Sequence, residues 1–233
     1  MGGADIMIKS KNKGYSLVEL IIVLAIVGLV ATMSLISINV LFSAKVKNDA
    51  TTVNSVISAL KAKKSYAPAV DGSGTSYKTV YPALRLYRNG PYGRYYLQEC
   101  IYCTQTKEFI YYGGSASSIS YVDDDGNDVT VVVDPALIDS SNGGLGTQLS
   151  AYTAINYCEP GSADDAEGTD IATITTGSAT GMFIMFDRDG TLHAYKDGSD
   201  VKFYGAGILK FKKRNGNMVA KVTLRSNGSH EVK

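Results

Sequence analysis

Residues 13–31 read KGYSLVELIIVLAIVGLVA, a nearly pure hydrocarbon stretch that carries one acid, Glu19, close to its start. From Leu20 to Phe42 the chain runs for 23 residues without a charge, and about 20 apolar residues are enough to span a bilayer. An acid at the centre of a membrane helix costs roughly 2.5–3.5 kcal/mol on insertion scales. Glu19 therefore answers to a requirement outside the lipid. The polar members of the run, Thr32, Ser34, Ser37 and Asn39, thicken toward its C-terminal end, so the surface grades from lipid-like to protein-like. Lys9, Lys11 and Lys13 ahead of the run favour a cytoplasmic N-terminus, although Lys45 and Lys47 follow it and weaken that bias.

A cleaved secretory signal would close its apolar stretch with a small-residue cleavage site. Here the run flows into a helical pattern instead. Val46, Ala50, Val53, Ile57 and Leu60 recur at spacings of four and three, which is one apolar face of a helix. No Gly or Pro interrupts residues 30–65, and Pro68 supplies the stop. Residues 16 to about 65 thus read as one helix of about 50 residues, roughly 75 Å long. Its first half, 15–42, is apolar all round. Its second half, 43–67, is amphipathic and is expected to pack on a soluble domain.

That domain, residues 68–233, is rich in Gly, Ser, Tyr and Thr, with strands alternating with turn signals. Residues 71–76 read as a loop. Strands are expected at 108–112, 118–122, 129–133, 182–186, 191–195, 208–213 and 218–224, and long loops at 139–150 and 159–170. Asn215-Gly216 marks the tightest hairpin, and Gly228 one more turn. A long helix whose amphipathic half covers one face of an antiparallel sheet is an α+β fold.

The basic leader, Gly14, the aromatic Tyr15, Ser16-Leu17-Val18, Glu19 and the unbroken apolar run together resemble the class III signal of type IV pilins and pseudopilins. The resemblance covers about residues 11–40. It implies that residues 1–14 are a leader, removed by a prepilin peptidase between Gly14 and Tyr15, and that Tyr15 becomes the N-methylated first residue. Glu19 is then the family's characteristic acid, five residues into the mature chain, and Gly28 falls where many pilins carry glycine. The proline that often follows eight residues later is replaced by Ile36, which points toward a minor or pseudopilin-type subunit. The stretches FDRDGTLHAY (186–195) and VTLRSNGSHEV (222–232) resemble the C-terminal pattern of H-type minor pseudopilins.

The resemblance implies a function with its partners. Glu19, buried among packed helices, needs a counter-charge, and the family's is the terminal amine of a neighbouring subunit. A subunit that is not docked would leave the acid unpaired in lipid. Sister pilins, the peptidase-methyltransferase and a membrane assembly platform are the implied partners. A single pass through the cytoplasmic membrane, N-terminus inside, would precede incorporation into a surface filament of a type IV pilus-like or type II secretion-like system.

Charge is segregated along the chain. Residues 1–107 carry a net +8, residues 108–187 hold 13 acids and no Lys or Arg, and residues 188–233 carry a net +6. Such a chain can attract copies of itself head to tail, or simply present a solvated acidic face. Lys210, Lys212, Lys213, Arg214 and Lys221 gather on the Asn-Gly hairpin. A cluster of this kind binds phosphate backbones, so a DNA-binding subunit of an uptake filament is the alternative function; lysines also serve to protect a sheet edge.

Three cysteines, Cys100, Cys103 and Cys158, allow at most one disulfide, from Cys158 to either of the others, or three structural thiols. The C-x-x-C spacing lacks the second ligand pair that a zinc site needs. Both Asp-rich turns fail the calcium-loop pattern, because Tyr121 and Met185 fall at the first ligand position. The five acids of the 159–170 loop leave calcium as a candidate there. No other cofactor is expected. His193 and His230 read as surface residues near turns. With no nucleophile motif, phosphate loop or paired carboxylates, an enzyme is not expected.

Overall fold

A computed structural model describes residues 15–63, 80–90, 93–103, 108–111, 118–122, 126, 128–132, 141–163, 166–176, 179–187, 189–195, 207–214 and 216–233. Residues 1–14, the 71–76 loop, Tyr112 and Val133 lie outside these. The chain divides into two compact units, Met1–Leu41 and Phe42–Lys233.

In the first unit the described chain is helical from Leu17, the start of α1 (Leu17–Lys63). Its large apolar side chains, from Leu17 through Val30 and at Met33, Ile38 and Val40, are exposed. The helix is long and apolar enough to cross a membrane by length and composition.

In the second unit α1 continues to Lys63 and buries the stripe that the spacing predicts: Val46, Ala50, Val53, Ile57 and Leu60 are each at most 3% exposed. The stripe enters one core shared by two antiparallel sheets, not the single sheet expected. The first sheet contains β1 (Val80–Arg88), β2 (Tyr95–Cys103), β3 (Glu108–Ile110), β11 (Met182–Phe186) and β12 (Leu192–Tyr195), in the order β12-β11-β1-β2-β3, and β6 (Thr147–Gln148) also pairs with β2. The second contains β7 (Thr153–Cys158), β8 (Thr169–Asp170), β13 (Gly207–Lys213), β14 (Met218–Leu224) and β15 (His230–Val232), in the order β15-β14-β13-β7-β8. Two small hairpins complete the strands, β4 (Ser118–Val122) with β5 (Asp128–Val132) and β9 (Thr175–Thr176) with β10 (Ala179–Thr180). The α+β architecture is as expected. Within the stretch expected as a loop at 139–150, a single helical turn, α2 (Ser141–Gly144), precedes β6. At the end of the 159–170 loop, β8 pairs back onto β7.

The first sheet is covered on both faces. Leu84, Leu86, Tyr95, Leu97 and Ile184 face the helix core, while Ala83, Cys100, Tyr102, Phe183 and Met185 build a second cluster on the opposite face. This second face holds Arg85, whose guanidinium lies 4.1 Å from the Tyr87 ring and 4.2 Å from the Tyr111 ring. Its Nε and Nη2 donate to the Thr180 carbonyl at 3.0 and 2.8 Å, and Nη1 donates to Gln98 at 3.3 Å. Burial lowers the Arg85 pKa, opposed by Tyr111, Tyr87 and Cys100. A buried arginine is tolerable because its donors are met and the ring faces attract its charge.

Three ties close the core. The Tyr95 hydroxyl of the first sheet donates to Asp170 Oδ1 of the second at 2.6 Å, and burial, then this bond, push its pKa up to about 12. Asp49 of α1 accepts the Ser150 amide at 3.0 Å and the Thr153 hydroxyl. The turn before β15 joins all layers: Lys61 Nζ donates to the Gly228 carbonyl at 2.9 Å, Ser58 Oγ lies 2.7 Å from His230 Nε2, and the Leu192 amide donates to Ser226 at 3.0 Å. Gly228 sits at φ +73°, and a Cβ there would run into the Gly190 carbonyl oxygen. Gly228→Ala is expected to destabilise the fold by about 1–2 kcal/mol from the left-handed backbone alone, before the clash is counted. Thermal melts of the purified full chain would test this, and an unchanged midpoint would refute it.

Candidate processing and assembly site

The helix begins with an arrangement that reading the residues one at a time does not bring out. Ser16 is the N-cap of α1. Its hydroxyl accepts the Glu19 amide at 3.2 Å, and its own amide donates to Glu19 Oε2 at 2.8 Å. This reciprocal pair is a capping box, with Ser at the cap and Glu three residues on. The signal was present in the sequence as Ser-Leu-Val-Glu. Within the single chain the carboxylate thus already accepts one hydrogen bond, from a neutral amide and not from a counter-charge. It also sits favourably at the positive end of the helix dipole.

Tyr15, immediately before the cap, is 85% exposed. Gly14 lies outside the described residues. At Gly28 a Cβ would meet nothing within 4 Å among the described residues. Among the described residues, Tyr15 and Glu19 thus stand at the head of a helix whose large apolar side chains are exposed.

The remaining sequence-derived positions are dispersed. Cys100, Cys103 and Cys158 are all free and buried. Cys100 and Cys103 are three apart on β2, and strand alternation directs them to opposite faces. Cys100 joins the cluster beside Arg85, where burial pushes its thiol up. Cys158 lies on the second sheet, its thiol directed at the Ala166 carbonyl at 3.6 Å. No two of the three thiols are joined in this structure.

The lysine cluster also needs correction. Lys210 and Lys212 do share a face of β13, but Lys210 is 3% exposed and its ammonium donates to the Ala166 carbonyl at 2.5 Å. Lys212 pairs with Glu167 at 3.0 Å. Lys210 stands between Asn156 and Lys221 in the ladder. These ammonium groups are turned into the 159–168 loop, so Lys210 cannot reach a phosphate from solution. At the end of β13, Arg214 is exposed and Lys213 is half-buried. The same contacts put fixed cations against the loop considered for calcium. Among the described residues no group of three or more His, Cys, Asp or Glu side chains is placed to hold a metal.

The histidines are partly buried, not simply at the surface. His193 Nε2 lies 3.0 Å from Asp187 Oδ2. Desolvation raises the Asp187 pKa, but the hydrogen bonds from His193 and the Thr191 amide outweigh it, and the net shift is downward.

An exposed apolar helix led by a capped acid, followed by an α+β unit, describes a subunit built to join others through its N-terminal segment. Residues 9–35 match the model of the prokaryotic N-terminal methylation motif. The chain therefore carries an N-terminal signal of the type IV pilin and pseudopilin kind. No curated protein and no solved structure matches the chain.

Proposed function

We propose that the chain is a minor, pseudopilin-type subunit of a type IV pilus-like or type II secretion-like filament. It is made as a precursor, cut between Gly14 and Tyr15, methylated at Tyr15 and held as a single-pass membrane protein with its N-terminus inside. It then enters the filament through α1, where Glu19 exchanges its own Ser16 amide for the terminal amine of a neighbouring subunit. One observation carries this reading: the methylation motif coincides with a helix head whose apolar side chains are exposed. Such a surface requires lipid before assembly and sister helices after it. The alternative of DNA capture loses Lys210 and would rest on Lys212, Lys213, Arg214 and Lys221.

Mass spectrometry of the mature protein tests the processing step. The expected chain begins at Tyr15 and carries one added methyl group at its terminus. Recovery of a mature chain that retains residues 1–14 would refute the proposal.

A further inference from the structure

A second surface of the soluble unit begins where the apolar run ends. Phe42, the last residue of that run, stacks on Tyr152, with ring centroids 4.1 Å apart and planes at 21°. Tyr152 is 37% exposed. Lys45 Nζ lies 5.2 Å from the centre of the Tyr152 ring. The Tyr152 carbonyl accepts the Arg214 amide at 2.8 Å, which brings the end of β13 alongside. Arg214 Nη2 donates to the Gly93 carbonyl at 2.9 Å, next to the exposed Arg94. Lys213 adjoins on the same strand end, opposite Thr153. An exposed tyrosine thus has Lys45 over its ring and the strand end of Lys213 and Arg214 beside its backbone, while Arg94 follows Gly93 and donates to Gln148 at 3.0 Å.

We infer that this patch docks the soluble unit onto anionic phospholipid headgroups before assembly, the inference resting on the reading of Leu20–Phe42 as membrane-embedded. The position of the patch follows from chain continuity. If residues 20–42 occupy the hydrocarbon, Phe42 and the ring stacked on it lie at the bilayer boundary, and Lys45 stands one turn beyond. Tyrosine is favoured at that level, with its ring against the apolar edge and its hydroxyl in water. Basic side chains beside it complement phosphate-bearing headgroups, each worth about a fivefold gain in surface affinity. Docking would hold the unit against the membrane, and extraction into a filament would release it.

The chain contains no tryptophan, so Tyr152→Trp gives a single emitter at the patch. The full chain is reconstituted into vesicles of phosphatidylcholine alone or mixed equally with phosphatidylglycerol, each with a headgroup-nitroxide lipid. The introduced indole should be quenched more strongly in the anionic vesicles, and the difference should vanish at 1 M salt, where the screening length falls to about 3 Å. Lys63→Trp, about 27 Å along the helix from Lys45, should show no such difference. Reversing two charges, Lys45→Glu with Arg214→Glu, should lower the ratio of docked to undocked chains by about 25-fold or more. Arg214→Lys should retain it. Amide exchange of residues 150–154 in the unsubstituted chain, slower in anionic than in neutral vesicles, reads the same event without a mutation.

Equal quenching and equal exchange in the two lipids would overturn the patch. Failure of the chain to float with vesicles would overturn the membrane-anchor reading and this inference with it. Protection of the same residues by a single-stranded oligonucleotide in neutral vesicles, without any effect of phosphatidylglycerol, would overturn it in favour of nucleic acid.

Discussion

Glu19→Gln should leave a chain that is inserted and cleaved but that fails to enter filaments. Glutamine at this position still completes the capping box with Ser16, so the start of the helix is kept, and insertion should improve slightly as a charge leaves an apolar helix. What disappears is the counter-charge for a neighbour's amine. Removing one partner of a buried pair costs on the order of 3–5 kcal/mol, a factor of roughly 10²–10⁴ in incorporation. Sheared filaments and membranes would be separated and compared at equal expression. Equal recovery of mutant and wild type in filaments would remove Glu19 from assembly. Gly14→Leu should stop the chain earlier, leaving uncut precursor in the membrane, so the two failures are distinguishable by mass.

The second large effect is expected at Asp49→Ala, far from the signal. Asp49 is buried and receives the Ser150 amide and the Thr153 hydroxyl, fastening the start of β7 to the helix. A hydrogen bond to a charged group contributes about 1.5–3 kcal/mol. Losing two, with their donors left inside, should destabilise the soluble unit by about 3 kcal/mol or more. For a unit of this size that lowers the melting midpoint by about 6–12 °C. Asp49→Asn keeps one acceptor oxygen and should fall between wild type and the alanine variant. The test is thermal unfolding of the full chain in detergent, and an alanine variant as stable as wild type would sink the assignment.

What the sequence disclosed and what it hid follow from how each element is covered. The stripe of Val46, Ala50, Val53, Ile57 and Leu60 was legible because a helix with one buried face prints a period of 3.6. The hairpin of β13 and β14 was legible through Asn-Gly. The strands β1, β2 and β7 were not. The first two are buried on both faces, so no alternation marks them, and β1 contains Pro82, which argues against a central strand. Proline is accommodated because pairing with β11 begins only at Ala83, while β2 faces it through Ile101. Asp49 could have been found: it follows Val46 by three, an acid on the apolar stripe. Arg85 carried little local signal: Tyr87 lies two residues along the same strand, but its other aromatic partners, Tyr111 and Phe183, come from the segment after β3 and from β11. At the helix head, Gly14, Tyr15 and Glu19 stood out by spacing, and Ser16 with Glu19 three residues on also carried the capping-box signature, which the charge argument for Glu19 overshadowed.

The turn around Gly228 also bears on the order in which the protein is made. Ser58 and Lys61 meet residues 228–230 across sequence separations of 172 and 167. The helix leaves the ribosome first, yet the contacts at its far end cannot form until the closing hairpin has been synthesised. At about 5–20 residues per second, that interval lasts roughly 10–30 s, far longer than a helix needs to form. Throughout it, the stripe that will become the core lacks much of its cover. Early capture of the leading segment by the bilayer would hold the nascent chain in place while its soluble half waits for the residues that complete it.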